Sequence, residues 1–398
     1  MATPPLGAWP TFTVHGKLDS SGVNYFMNGS GFQGEPEPWI EDGKLKLLCF
    51  NDDAATRGGI AYTEKTLESD LLSGWVNRTS GASGLVDLGP LEGTPGNEHL
   101  DTPGQVYNPY TKRWLTYYTE DTGVLPAAST EIGRQFSIGC AERSAPWTVG
   151  ATGFTRHHSV IVPTLGWEGP FIVGVEGATA NWNGGCAEPT AIWLQSLNGG
   201  LGGVRLFYRG HTVPEWVNEG SPRAAAGQFG QQIWSIAYAD SSPDGWSSFT
   251  KRPAPFWNPH DESGRAQQWV PGWRGAWHPG ITLDERAEGI HMVVTRQTQL
   301  HHFWSDNYGD TWYQNPNNPI VTLGGVGSPP THPNAPLGEM GAPKIVIDET
   351  FNRYILIFDG TDTPIPAGKS SRYPNNFYAA SASRPAPATV ATRWRAFA

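Results

Sequence analysis

Short runs of apolar residues, cut by Gly, Asn, Asp and Pro, recur along the whole chain, and helical spacing is absent from them. Five of these runs follow turns: Lys44 to Phe50 (after Asp42-Gly43), Arg113 to Tyr118, Val204 to Tyr208, Ile290 to Val294 and Arg353 to Phe358. Their β-branched and aromatic content, bounded by turn residues, predicts strands in hairpins. Each run is followed by a β-like phrase ending in small or polar residues. The phrases are Ile60-Ala61-Tyr62-Thr63-Glu64, Ile138-Gly139-Cys140-Ala141-Glu142, Ile236-Ala237-Tyr238-Ala239-Asp240, and the looser Phe303-Trp304-Ser305-Asp306 and Phe377-Tyr378-Ala379-Ala380-Ser381. Upstream of each run lies a third element led by proline: Pro38 to Ile40, Pro103 to Tyr107, Pro189 to Trp193, Pro279 to Leu283 and Pro343 to Ile347. The first residue of a strand is one of the few sheet positions proline tolerates, and it forces the residue before it away from the helical region.

Three antiparallel strands plus a more variable fourth make a propeller blade, and five such units close a ring. The pattern therefore predicts an all-β chain, a single five-bladed β-propeller with four-stranded antiparallel blades. The blades fall at approximately 35–95, 98–165, 185–258, 275–322 and 339–398, and residues 1–34 form an N-terminal closing segment. Either Thr11 to Val14 or Thr389 to Phe397 could supply the strand that closes the ring.

Composition narrows the class. Glycine (49), proline (34) and tryptophan (18) are abundant, and charged residues are only 16 % of the 398 residues, against roughly 25 % in soluble domains generally. So many helix breakers exclude a long helical bundle. An aromatic content of 12 % excludes disorder, and no apolar run approaches the roughly 18 residues of a membrane-spanning helix. A net charge of −10, from 27 basic and 37 acidic residues, argues against nucleic acid or an anionic membrane as partner. Cys49, Cys140 and Cys186 lack metal or redox spacing and are expected to be buried small residues. The opening MATPPLGAWPTFTV shows no secretory signal. The expected location is extracellular or virion-associated, as in a phage component released by lysis.

Ser305-Asp306-Asn307-Tyr308-Gly309-Asp310-Thr311-Trp312 resembles the Asp-box of sialidase-like propellers, with Asn307 where the box usually has Asp; Ser242-Pro243-Asp244-Gly245-Trp246 is a partial relative. The resemblance implies hairpin turns on the outer rim, remote from chemistry. Chemistry is expected where the innermost strands begin, at one end of the central channel. The residues just before the five prolines are Glu37, Asp101-Thr102, Glu188, His278 and Ala342. Any one of these acids alone reads as a solvated loop residue. Three carboxylates and a histidine at equivalent positions of a chain so poor in charge read as a site.

This constellation resembles the five-bladed glycoside hydrolases: the arabinanase and β-xylosidase group and the related invertases and levansucrases. In that family the first blade supplies an acidic base or nucleophile, the second an Asp close to Pro, the third a Glu general acid near a proline, and in arabinanases the fourth a histidine. Glu37, Asp101, Glu188 and His278 fall at those stations. The resemblance implies Glu188 as general acid, Glu37 as base or nucleophile, and Asp101 as the group that tunes Glu188 and holds a sugar hydroxyl. Glycosidic cleavage needs one carboxylic acid to protonate the leaving oxygen and one carboxylate to attack or to activate water. Crowded carboxylates raise the pKa of one of them, as that acid requires. Blade one has Glu where the family usually has Asp. Glu188 touches its proline directly, and Glu168-Gly169-Pro170 spells the third-blade motif better, so Glu168 is a rival; so are Glu35, in Glu35-Pro36-Glu37-Pro38, and Glu339 near the fifth station.

Flat aromatic faces suit the C–H faces of sugar rings. Trp39, Trp182, Trp273 and Trp277 lie near the stations, with Trp277 and Trp39 the chosen platforms beside His278, His99 and Arg274 as substrate contacts. His99, His157 and His158 lack ligand spacing, so no metal is assigned; the arabinanase resemblance leaves calcium in the central channel as the one cofactor to consider. Three functions compete: a hydrolase of a polysaccharide or oligosaccharide, possibly furanose-containing such as arabinan; a non-catalytic carbohydrate- or receptor-binding propeller of a phage tail or virion surface; and a polysaccharide lyase using His278 as base. All three have carbohydrate as partner.

Overall fold

In the computed structural model the described residues are 9–18, 32–52, 59–77, 100–121, 134–144, 154–168, 183–212, 232–256, 273–275, 277–286, 289–296, 299–324, 334–336, 340–361 and 376–385. They form an all-β structure whose strands pair mainly as antiparallel meanders. The first comprises β2 (Phe32–Glu41), β3 (Lys44–Asp52), β4 (Gly59–Thr66) and β5 (Val76–Asn77); β1 (Thr13–Lys17) lies apart from it. β6 (Leu100–Asn108), β7 (Arg113–Asp121), β8 (Arg134–Arg143) and β9 (Thr155–Ile161) form the second. The third contains β10 (Asn183–Leu194), β11 (Gly203–Thr212), β12 (Gln232–Ser241) and β13 (Phe249–Lys251).

A short β14 (Trp273–Gly275) pairs with β12, and the second and third meanders are joined by a brief parallel β8–β10 pairing into one nine-stranded sheet. The fourth meander runs through β15 (Trp277–Asp284), β16 (Gly289–Arg296), β17 (Gln299–Ser305) and β18 (Tyr313–Gln314). The last sheet has the order β1-β21-β20-β19, from β19 (Met340–Asp348), β20 (Arg353–Gly360), β21 (Asn376–Ser383) and the N-terminal β1. Of the two candidate closing strands, then, the N-terminal one joins the last sheet; Thr389 to Phe397 lies outside the described residues.

The first strands of the meanders pack in cyclic order: β2 on β6, β6 on β10, β10 on β15, β15 on β19, and β19 back on β2. The apolar faces fill the gaps between successive sheets. Leu48 and Tyr62 meet Tyr118 and Ala141 between the first and second. Leu115 and Tyr117 meet Leu206 and Tyr208 between the second and third, and Ile192 and Phe207 meet Ile281 and Met292 between the third and fourth. Val293 and Leu300 meet Leu356 and Tyr378, and Leu45 and Leu47 meet Ile355 and Ile357, completing the cycle. Cys49, Cys140 and Cys186 are buried cysteines that take part in this packing.

All five first strands carry the same irregularity. The register slips between Gly34 and Glu37, Asp101 and Gly104, Ala187 and Thr190, Trp277 and Gly280, and Gly341 and Lys344. Inside each slip a non-glycine residue adopts positive φ: Glu35 (56°), Thr102 (49°), Glu188 (57°), His278 (51°) and Ala342 (42°). Each stands directly before a proline. A left-handed residue in a bulge re-aims its side chain and is costly for anything but glycine. Five at equivalent positions mark a built feature.

Candidate active site

The left-handed residues form one layer, and the structure brings three of their side chains together. Glu35, Glu188 and His278 are buried, and each offers an atom within 4.8 Å of the others. His278 Nε2 lies 2.9 Å from Glu188 Oε1 and 3.2 Å from Glu35 Oε1. Glu188 Oε2 accepts the His278 backbone N–H at 2.7 Å, and Glu188 Oε1 also pairs with Arg209 Nη1 at 2.6 Å. The Thr102 hydroxyl donates to Glu35 Oε2 at 2.6 Å, and the Ala342 N–H donates to His278 Nδ1 at 3.2 Å. All five stations therefore contribute to one network. The Glu188 N–H is anchored on Thr119 Oγ1 at 2.9 Å, and the Glu35 N–H reaches Asp359 Oδ2 at 3.4 Å.

Electrostatics set the charge states. Burial disfavours the Glu188 carboxylate, but Arg209 and His278 outweigh burial and hold it at about 2. Burial is likewise outweighed at Glu35, where His278 and the Thr102 hydroxyl keep the carboxyl below its ordinary value. Burial disfavours the imidazolium of His278, yet Glu188 and Glu35 raise it to about 9. The Ala342 N–H on Nδ1 opposes a second ring proton; two carboxylates within 3.2 Å outweigh one amide dipole, so the upward direction stands. Crowding among carboxylates was expected to leave Glu188 protonated. The neighbours of Glu188 are instead Arg209 and His278, which favour its carboxylate and lower its pKa.

Two residues further along each first strand lies a second layer: Glu37, Gly104, Thr190, Gly280 and Lys344. Lys344 Nζ donates to Thr190 Oγ1, to Pro189 O at 3.2 Å and to Pro279 O at 3.3 Å, and stands 3.4 Å from Glu37 Oε2. Glu37 Oε1 accepts the Gln105 N–H at 3.1 Å, and burial raises the Glu37 carboxyl despite Lys344. A cavity of about 150 Å³ opens beside this layer, lined by Glu37, Gln105, Thr282, Lys344 and aliphatic residues. Glycine is required at two places here. A Cβ on Gly104 would meet Pro189 O at 2.6 Å, and one on Gly280 would meet Pro343 O at 2.2 Å.

Glu37, the expected base, does not join this cluster; Glu35 does. The station in β2 precedes Pro36 and not Pro38, and the side chain of Glu37 turns to Lys344 instead of to the cluster. In the second meander the left-handed station is Thr102; Asp101 pairs opposite Thr119 in β6, and its side chain is outside the described residues. Glu188 and His278 stand where expected. His99, Trp182 and Glu339 fall outside the described residues, as do the side chains of Trp273, Arg274 and Trp277. Trp39 stacks on Tyr62 at 5.8 Å and packs with Leu48 and Tyr118, a position between sheets. The rival Glu168 is fully buried, held by Tyr208 at 2.7 Å and Lys251 at 2.8 Å, and caps the turn through the N–H groups of Thr164 and Leu165. His157 stacks on Trp246 at 3.7 Å, and His158 meets Glu120 at 3.3 Å, so neither approaches the cluster's chemistry. Sequence reasoning missed Thr102, Arg209 and Lys344. The first was visible as the residue directly before Pro103; the other two carry no local motif.

Calcium takes six to eight oxygen ligands. Glu35, Glu188 and His278 offer two carboxylates and an imidazole, with the Arg209 guanidinium already on one carboxylate and the ring nitrogen Nε2 against both. This donor set does not fit calcium.

No protein-family model and no curated protein matches the sequence. Solved structures do. A glycoside hydrolase superposes with a TM-score of 0.56 at 11 % identity, over 96 % of this chain and 94 % of that one. An α-L-arabinofuranosidase from Podospora anserina, solved in complex with cellotriose, gives 0.53 at 11 % identity over 96 % and 98 %. A thermostable family-43 glycoside hydrolase gives 0.51 at 12 % identity over 88 % and 89 %. At such identities the likeness is one of fold. The chain has the fold of these glycoside hydrolases, which is the resemblance that its proline-led repeats imply.

Proposed function

We propose that the chain is a glycoside hydrolase, a five-bladed β-propeller with the blade boundaries given above, that cleaves a furanose-containing polysaccharide outside a cell or at a virion surface. The observation that carries this reading is the meeting of two buried carboxylates, Glu35 and Glu188, from equivalent bulges of β2 and β10. Glu35, whose side chain meets neutral Thr102 and His278 among the described residues, is the nucleophile or base. Glu188 is the partner that hands a proton to the leaving oxygen once it has received one. Their nearest oxygens lie within 4.8 Å, which suits the roughly 5 to 5.5 Å carboxyl spacing of retaining enzymes better than the roughly 6.5 to 9.5 Å of inverting ones. The α-L-arabinofuranosidase neighbour supports a furanose substrate.

One observation favours a second reading, a carbohydrate-binding propeller without turnover: the left-handed station of the second meander is Thr102, a hydroxyl, and not the neighbouring Asp101. Sugar release from arabinans, arabinogalactans, fructans, xylans and bacterial capsules separates the two. The hydrolase releases product, and Glu35→Gln and Glu188→Gln each lower the rate by about 10²-fold or more. Retention on a glycan with no release by the wild type supports the binding propeller instead.

A further inference from the structure

The N-terminal segment belongs to the last sheet through β1, yet its first described residues lie on the fourth meander. Trp9 and Phe12 meet the ring of His302, on β17, edge-on at 5.8 and 6.0 Å between centroids. Asn315, in the turn after β18, donates its side-chain amide to Pro10 O at 3.2 Å, and the same nitrogen lies 3.2 Å from His302 Nδ1. Asn315 Oδ1 accepts the Asn317 N–H at 2.9 Å, which fixes the way the amide faces. On the other side of the ring, His302 Nε2 lies 2.9 Å from Nδ1 of His291, on β16. Both histidines and Asn315 are buried.

The donor and acceptor roles along this chain run in one direction. An amide NH₂ only donates, so His302 Nδ1 accepts and its ring hydrogen stands on Nε2. That hydrogen goes to His291 Nδ1, which leaves the His291 hydrogen on its own Nε2, 3.8 Å from Asp284 Oδ2. Both rings are therefore neutral. With the bond between the rings kept, the nitrogen open to a further proton is His302 Nδ1, and it faces the Asn315 NH₂. We propose that the His291–His302 pair is an acid-sensitive catch on the N-terminal segment: a proton taken up by His302 turns the Asn315 amide and releases residues 9–12 from the fourth meander. In that step an N–H bond forms on His302 Nδ1 with a proton from solvent, and the amide turns to offer it Oδ1. The bonds of Asn315 to Pro10 O and from the Asn317 N–H are lost together.

The groups that face the pair are placed unevenly. On the His291 side stand Asp284 of β15, Tyr354 of β20, which donates to Asp284 Oδ2 at 2.7 Å, and Arg384 beyond β21, which donates to the same oxygen at 3.0 Å. Glu349 pairs with the other end of Arg384. On the His302 side the described groups are Asn315, Trp9 and Phe12, none of them charged. Burial lowers both histidines, His302 well below its ordinary value of 6.5, which keeps the catch closed at neutral pH. His15 of β1, bonded to Ser381 Oγ at 2.7 Å, is the other histidine of the segment.

Two NMR readouts of the full chain test the catch. Imidazole ¹⁵N spectra at pH 7 are expected to show both rings neutral with hydrogen on Nε2. In protein labelled with 5-fluorotryptophan, the Trp9 ¹⁹F resonance, assigned by Trp9→Phe, is expected to move to its solvent-exposed position as His302 titrates below pH 6.5, while the other tryptophans hold theirs. His302→Phe, which keeps a ring against Trp9 and cannot titrate, should leave the Trp9 resonance in place over that range. Asn315→Asp supplies an acceptor to Nδ1 and no donor to Pro10 O. It should raise the His302 titration by at least one unit, a tenfold change in proton affinity, and free Trp9 already at pH 7. Hydrogen on His302 Nδ1 in the wild type at pH 7 overturns the proposal, and so does a Trp9 resonance that stays in place while His302 titrates. An equal movement in His302→Phe overturns it in favour of His15, and movement of all the tryptophans together overturns it in favour of general acid unfolding.

Discussion

The station layer and the layer two residues deeper are built on the same five strands, yet they handle buried charge differently. The upper layer has two carboxylates, a histidine and a guanidinium, with hydrogen bonds that join all five strands. The deeper layer has a single pair, Lys344 and Glu37, wedged among backbone carbonyls, with glycine at two of its five positions. One layer gathers opposite charges from different sheets around His278. The other uses one long cation to tie β10, β15 and β19 together beneath it. Chemistry that depends on geometry within tenths of an ångström needs such a floor.

The sharpest way to break the comparison is to remove the cation. Lys344→Met should leave Glu37 charged and buried with no counter-ion, and loss of one partner of a buried pair costs about 3–5 kcal/mol. Lys344→Met/Glu37→Leu should recover most of that loss, because the buried pair itself adds little net stability. Chemical denaturation of the three proteins decides it, and a double variant no more stable than Lys344→Met would show that Lys344 works through its carbonyl and Thr190 contacts alone.

Next in size is the pH dependence of the upper layer. Glu188 has its folded pKa lowered, to about 2, so its contribution is present above its unfolded value of 4.5 and is lost as pH falls towards 2. His278 is raised to about 9 from 6.5, so its contribution is whole below 6.5 and is lost as pH rises through 9. The coupled pair should therefore stabilise the protein fully between pH 4.5 and 6.5, by roughly 3 kcal/mol counted once. Glu37 has the opposite sign: its raised carboxyl favours the fold at low pH and opposes it as pH rises through that value. The stability gap between the wild type and Glu188→Gln/His278→Gln, followed from pH 3 to 9.5, should be widest in that window and narrow on both sides. A gap that does not vary with pH would mean that the upper layer is held by packing.

Most of the strand pattern is legible in the chain, because turn residues and β-branched runs act locally. Lys44 to Phe50, Arg113 to Tyr118, Val204 to Tyr208, Ile290 to Val294 and Arg353 to Phe358 all lie in second strands of the meanders. Glu188 and His278 were legible for the same reason, each before a lone proline. Glu35 was not, since Glu35-Pro36 and Glu37-Pro38 are spelled alike and the choice depends on where the bulge falls. Spacing holds the missing signal. Thr102, His278 and Ala342 each precede the next strand by eleven residues, at Arg113, Gly289 and Arg353, and Glu35 comes nearer to that spacing than Glu37 does. Arg209 and Lys344 stayed hidden because their partners are distant in sequence and meet them only once the sheets pack. The charge of Glu188 was misjudged for that reason: an acid's pKa follows its neighbours in space.

The smallest effect is expected at the Ser305 to Trp312 hairpin, where Asn307 holds the turn through neutral hydrogen bonds. Asn307 Oδ1 accepts the Thr311 N–H and the Ser305 hydroxyl at 2.9 Å each, and its Nδ2 donates to Thr311 Oγ1 at 2.9 Å. Asn307→Ala removes these bonds from a solvent-exposed turn, so the loss should be about 1 kcal/mol, with water replacing part of it. Asn307→Asp restores the spelling of the Asp-box. Its carboxylate keeps both accepted bonds and takes a third from the Thr311 hydroxyl, which can reverse its role from acceptor to donor. That substitution should change stability by less than about 0.5 kcal/mol, and neither variant should alter glycan release. Thermal unfolding run beside a glycan-release assay checks both. A change in glycan release from a substitution in this hairpin would mean that it is coupled to the five bulges, whereas independence would show that the hairpin serves the fold alone.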